Sequence, residues 1–121
     1  MSNPALHNKI SYIEFTTTNI EQTKQFYSTV FGWKFKDWGP EYIDSDAAGA
    51  GIAIGFAKGA AQQQQPKTAP LVVLYSTDLK ATEDAIVAAG GIIVVPIFEF
   101  PGGRRFHFSD GAGNLLGVWS E

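Results

Sequence analysis

The sequence predicts an α+β fold made of two tandem βαβββ modules, each laying one helix on a curved four-stranded sheet. Three observations lead there. A strand followed by a helix and further strands occurs twice, the two openings superpose at a constant offset of 59 residues, and the closing segments superpose at an offset of 64. At 121 residues, 45% hydrophobic and only 17% charged, the chain has apolar material for one packed domain. Neither module alone can cover both faces of its sheet, so the two are expected to share a core.

The elements follow in order. Met1–Lys9 is a short polar arm, and its His7 is expected in solvent. Ile10–Phe15 is a β-branched and aromatic run bounded by polar residues, hence a strand. Thr18 with Glu21 has capping-box spacing, and Asn19 is an alternative cap. Ile20, Thr23, Tyr27 and Val30 then recur at helical spacing until Gly32, and a strand resumes over Trp33–Trp38. The second module repeats this: strand Leu71–Tyr75, cap Thr77 or Asp78, stripe Leu79, Thr82, Ile86 and Ala89, stop at Gly90-Gly91, strand Ile92–Val95. At the other offset, Ser45-Asp-Ala-Ala-Gly49 matches Ser109-Asp-Gly-Ala-Gly113, and Ile52-Ala-Ile54 matches Leu116-Gly-Val118. The difference of five residues implies an insertion in the second half, placed in the loop around Pro101-Gly102-Gly103. The chain thus divides into an arm (1–9), a first module (10–57), a connector (58–70) carrying the Gln62–Gln65 run between prolines and glycine, and a second module (71–121).

Composition excludes several classes of function. Nine Lys and Arg against twelve Asp and Glu give a net charge of −3, with no basic field for nucleic acid. No apolar run approaches the ~20 residues of a membrane span, and the N-terminus lacks the apolar stretch of a signal peptide, so the expected location is cytoplasmic. Without cysteine there are no disulfides, thiolate nucleophiles or thiolate metal sites, and His7 and His107 are the only side chains that titrate near neutrality unperturbed. Gly49-x-Gly51 and Gly111-x-Gly113 lack a following helix, so they read as turns rather than phosphate loops. Ser109-Asp110 beside His107 recurs as Ser45-Asp46 without a histidine, which favours a turn role over a catalytic triad.

Three motifs resemble the vicinal oxygen chelate superfamily of glyoxalase I, bleomycin-resistance proteins and extradiol dioxygenases. They are Ile20-Glu-Gln-Thr-Lys-Gln-Phe-Tyr-Ser-Thr-Val-Phe-Gly-Trp33; Thr77-Asp-Leu79 leading to Ala88-Ala-Gly-Gly91; and Pro101-Gly-Gly-Arg-Arg-Phe-His-Phe-Ser-Asp-Gly-Ala-Gly-Asn114 ending in Leu116-Gly-Val-Trp119. The closing segment looks most like the group related to lactoylglutathione lyase. The resemblance spans Ile10–Trp119 and implies sheets curled into a half-barrel around a ligand cavity, helices outside, and a homodimer. It also implies four inner-strand positions for a divalent metal, which carry over to Tyr12, Ala53, Leu71 and Gly117. None is a usable ligand apart from the weak Tyr12 phenol, so no metal cofactor is expected.

The residues left for chemistry are few. Glu14 lies two positions after Tyr12, hence on the same face of a strand, and is either a base or a carboxylate paired with Arg105 or a backbone amide. His107 is a second candidate base, and Arg105 a planar anchor for a carboxylate or phosphate. Trp119 shares a face with Gly117, where bulk is missing. The leading expectation is a metal-free protein that holds a small apolar or aromatic molecule against Tyr12, Glu14, Ala53, Leu71, Gly117 and Trp119, with Arg105 or His107 as polar anchor. The alternative is a lyase or isomerase related to glyoxalase I with Glu14 or His107 as base; a metal-dependent lyase or dioxygenase ranks last.

Overall fold

The computed structural model describes residues 3–60 and 69–121. After a 3-10 turn at Pro4–Leu6, the first module runs β1 (Tyr12–Thr17), α1 (Ile20–Phe31), β2 (Lys36–Asp37), β3 (Tyr42–Ser45), a single helical turn α2 (Ala47–Ala50) and β4 (Ala53–Lys58). The second runs β5 (Val72–Tyr75), α3 (Leu79–Ala88), β6 (Ile92–Phe100), β7 (Gly103–Ser109) and β8 (Leu115–Ser120). Each module is one four-stranded sheet, in the orders β1-β4-β3-β2 and β5-β8-β7-β6, with only the first pair of each parallel. Two open sheets and few helices make the α+β fold that the repeat predicts. Strand β2 is shorter than the Trp33–Trp38 run suggested, because Trp33 turns into the core. Of the connector, Ala61–Thr68 lies outside the described residues.

The offset of 59 is written in hydrogen bonds. Asn19, not Thr18, caps α1 and accepts from Gln22 N, while Asp78 caps α3 and accepts from Ala81 N. Thr17 Oγ1 meets Thr23 Oγ1 at 2.6 Å, and Ser76 Oγ meets Thr82 Oγ1 at 2.7 Å, locking each strand to the helix that follows it. These caps satisfy amides that a helix N-terminus leaves unpaired.

The offset of 64 holds only in the turns. Asp46 and Asp110 each accept from the amide two residues on. In the ladders, Gly55 pairs with Glu14 and Asp44, and Gly117 pairs with Val73 and His107. Gly117 therefore corresponds to Gly55, 62 residues earlier, rather than to Ala53, and its parallel neighbour is Val73 rather than Leu71. Burial agrees: Ile54 and Phe56 face the core beside Gly55, as Leu116 and Val118 do beside Gly117. The second module is four residues longer up to the third strand, and its turn into the last strand is one residue shorter. The helical turn α2 hid that compensation, because a local match of turns carries no information on strand register.

The core lies between the sheets and the helices, with Tyr27, Ile43, Phe56, Ile86, Phe106, Phe108, Leu116 and Val118 fully buried. Tyr27 stacks on Trp33 with ring centroids 5.0 Å apart, and Phe26 of the first module packs on Phe108 of the second. The joint between modules is polar. Asp110 is 1% exposed and accepts from Tyr27 Oη at 2.9 Å, Ala112 N at 2.8 Å, Asn114 N at 3.1 Å and Asn114 Nδ2 at 3.1 Å. Asn114 Nδ2 also donates to the Thr16 carbonyl. Ser109-Asp110 is thus a turn with a structural load, as its recurrence predicted; Asp46 in the first module stays exposed.

Candidate functional site

Strand alternation leaves each sheet one face that no helix covers. On the first sheet it carries Tyr12, Glu14, Tyr42, Asp44, Ala53 and Gly55. On the second, the ladder sets Val73 and Tyr75 beside Gly117 and Trp119, with Arg105 and His107 on the neighbouring strand. Leu71 joins them, since a methyl on Gly117 would touch Leu71 Cδ2 at 3.5 Å and His107 Cδ2 at 3.3 Å. The predicted residues therefore fall into two sets. Tyr12, Glu14 and Ala53 lie on one sheet; Leu71, Arg105, His107, Gly117 and Trp119 lie on the other. Among the described residues no hydrogen bond or ring contact joins the two sets.

On the first sheet, Tyr42 Oη donates to Glu14 Oε1 at 3.0 Å and shares a short hydrogen bond with Tyr12 Oη. Tyr42 has one proton and gives it to the carboxylate, so Tyr12 must be the donor in the second bond. Glu14 thus pairs with Tyr42, not with Arg105 or a backbone amide as expected from sequence. Burial, and then the bonds to Tyr12 and Glu14, raise the Tyr42 phenol well above its ordinary value. Gly55 lies beneath the meeting point of the two hydroxyls, where a methyl group would displace both. The result is a proton path from Tyr12 through Tyr42 to a carboxylate. A groove of about 440 Å³ reaches Glu14 from the side, along Ile13, Phe15, Thr16, Val72 and Asn114. A second cleft of about 610 Å³ runs between Trp33, Ile54 and Tyr75. Tyr12, Arg105, His107, Gly117 and Trp119 line neither.

The second sheet's open face is aromatic. The Arg105 guanidinium lies 5.1 Å from the Phe98 ring centre and 5.0 Å from that of Phe100. His107 meets Phe98 edge-on, and Trp119 meets both Tyr75 and Phe100 edge-on. Tyr75 Oη donates to Glu121. Phe98, Phe100 and Tyr42 were not singled out from the sequence. Alternation alone would have found Tyr42 in β3. It would also have given the face of Phe98 but not its partner, because β6 shifts register between Ile93 and Val95 and again between Val95 and Phe98. These irregularities surround Pro96, which cannot donate to a ladder and is tolerated in an edge strand. Together they leave Ile97 facing the core as Ile93 does and set Phe98 opposite Arg105.

Burial, and then the charge of Arg105, lower the His107 pKa from its ordinary value of 6.5. An unfolded chain would bind that proton more readily than the folded one. The contribution is therefore fully present above about pH 6.5 and is lost as pH falls through the lowered value. His107→Gln is expected to flatten the acid side of a stability–pH curve from urea melts below pH 6.5.

The donor set does not suit the family's divalent metal. Tyr12, Ala53, Leu71 and Gly117 offer one phenol, and the register-matched row of Glu14, Gly55, Val73 and Gly117 offers one carboxylate. Among the described residues no three His, Asp or Glu side chains are grouped to hold an ion.

Two βαβββ modules joined through a buried turn define a glyoxalase-type scaffold, and the comparisons agree. The family model described as the glyoxalase/bleomycin resistance protein/dioxygenase superfamily matches residues 9–118, and the chain belongs to that superfamily. It is 31% identical to a glyoxylase-like domain-containing protein of Didymella fabae, over 88% of this chain and 90% of that one. It is also 27% identical to CFP32 of Mycobacterium bovis, a glyoxylase by name, over 90% of this chain but only 44% of that protein. The chain thus spans less than half the length of the mycobacterial relatives it matches. Among solved structures, a glyoxalase-related enzyme from Fulvimarina pelagi superposes with a TM-score of 0.77 at 21% identity, covering 94% of this chain and 88% of that one. The fosfomycin resistance protein FosX from Listeria monocytogenes gives 0.78 at 16% identity, covering 94% and 93%. At these identities the likeness is one of fold.

Proposed function

We propose that this protein is a metal-free, cytoplasmic member of its superfamily that binds a small apolar or aromatic molecule against its open sheet faces, as a homodimer. The observation that carries the reading is the aromatic open face of the second sheet, where Tyr75, Phe98, Phe100 and Trp119 are grouped around Arg105 and His107. A site lined by rings with few polar groups fits a small organic ligand better than a hydrated ion. The dimer is supported by exposure. Tyr12, Val73 and Tyr75 are 41%, 39% and 49% exposed on faces that the chain leaves uncovered. The closing Gly113-Asn-Leu-Leu-Gly-Val-Trp119 segment favours the lactoylglutathione-lyase-related group. The test is elemental analysis of protein purified without a chelating tag, followed by a thermal-shift screen of aromatic metabolites. Less than a tenth of an equivalent of divalent metal and a stabilising aromatic hit are expected. One tightly held equivalent would overturn the metal-free reading and favour a metal-dependent lyase or dioxygenase.

The second reading is enzymatic and rests on the Tyr12–Tyr42–Glu14 chain. A carboxylate that holds a phenol proton in reach can act as a general base and pass the proton outward. If it does, Glu14→Gln retains a hit's affinity within about twofold and loses its turnover by on the order of 100-fold or more. Tyr42→Phe loses less, since the carboxylate remains. Equal turnover in the wild type and Glu14→Gln would remove Glu14 from any chemistry.

A further inference from the structure

Arg105 is an arginine with nothing to hold. A guanidinium has five donors and no acceptor, yet among the described residues no side-chain hydrogen bond or ion pair reaches it, and its Nε is buried without a partner. Phe98 and Phe100 lie over it at 5.1 and 5.0 Å. Rings so placed fix the plane of the guanidinium without engaging its in-plane N–H groups. His107, two residues on along the same strand face, has a buried Nε2 that is also unpartnered. Across the ladder Arg105 lies opposite Trp119 and His107 opposite Gly117, whose missing side chain leaves room for the imidazole.

A buried guanidinium N–H without an acceptor is costly to maintain and rare in folded proteins, so Arg105 Nε points to an acceptor that arrives from outside, to which His107 donates as well in its Nε2–H tautomer. What they would accept can be narrowed by charge. Arg105 carries a fixed single charge, and His107, whose charged form is disfavoured by burial and then by that guanidinium, adds a hydrogen-bonding group. The fork matches a planar, two-oxygen acceptor of charge −1 better than a phosphate dianion. The rings of Phe98, Phe100 and Trp119 beside it supply an apolar wall for the rest of the molecule.

We infer that Arg105, packed against Phe98 and Phe100 with His107 on the same strand face, is a carboxylate subsite and that the ligand is an aromatic monocarboxylate. This deepens the small-molecule reading and rests on it: the carboxylate docks on the Arg105 fork and the ring system lies along Trp119. Arg105 would then select for charge.

The probes are 2-naphthoate, its uncharged amide 2-naphthamide, and 2-naphthylphosphonate, titrated by calorimetry into the full chain at pH 7.5. Naphthoate is expected to bind at least tenfold tighter than the amide and tighter than the phosphonate. Arg105→Gln and Arg105→Lys should each remove that preference while leaving the amide's affinity within twofold, because Lys keeps the charge but not the fork. Thermal melts establish that both variants are folded; if Arg105→Gln is not, Arg105→Lys alone decides. Equal affinity for naphthoate and amide, or a preference that survives in the lysine variant, would overturn the carboxylate subsite and leave the small-molecule reading standing. Failure of all three probes to bind the wild type would overturn both.

Discussion

Asp110→Ala is expected to lower the unfolding free energy by about 3–5 kcal/mol, the range for removing a buried group and stranding its partners. The carboxylate is 1% exposed, and four donors converge on it: Tyr27 Oη, Ala112 N, Asn114 N and Asn114 Nδ2. Alanine leaves all four in a place where water cannot reach. For a domain of this length the melting temperature should fall by roughly 10–20 °C. Tyr27→Phe removes one donor and keeps the ring stack on Trp33, so it should cost only about 1 kcal/mol. Chemical denaturation of the three proteins checks both figures. An Asp110→Ala protein that melts with the wild type would show that the modules are joined by apolar packing alone.

Gly103→Ala should be nearly as damaging, by about 3 kcal/mol or more, for a backbone reason. Gly103 opens β7 at φ +154, and a methyl there would run into the Ser120 carbonyl and the Glu121 backbone. Backbone cannot swing aside, so the β7–β8 ladder must part at the end nearest Arg105 and Trp119. Near-UV circular dichroism should lose part of its tryptophan signal along with stability. Gly113→Ala is the control: its φ is +110 but no atom lies within 4 Å, so only conformational strain of about 1–2 kcal/mol is expected. Equal losses in the two variants would mean that positive φ, not the close approach, is what Gly103 supplies.

Local chemistry made most of the fold legible. Helices α1 and α3 start at side chains that cap their own amides, and Gly32 and the Gly90-Gly91 pair end the helical runs, all within reach of a few residues in sequence. The repeat of 59 follows for the same reason, since it rests on strand-to-helix contacts six residues apart. Candidate site residues Tyr12, Glu14, Arg105, His107, Gly117 and Trp119 were legible because alternation assigns a face once a strand is known. The register of β4 and β8 was not, because the turns that resemble one another at Asp46 and Asp110 are followed by chains of different length. Glu14 and Arg105 were open as partners by charge alone, and they lie on different sheets, with Glu14 bonded to Tyr42.

The sequence by itself determined the two modules, their helices, the scarcity of metal ligands and the residues that face away from the core. Those properties depend on periodicity and composition, which are local. Only the tertiary structure decided that Glu14 answers to Tyr42, that Phe98 and Phe100 clamp Arg105, and that Gly55 is the counterpart of Gly117. Each of these turns on strand register, and in β6 on two irregularities around a proline. Shifting a strand by one residue exchanges its faces, so the partners of a sheet residue are a property of the whole ladder and not of its neighbours in sequence.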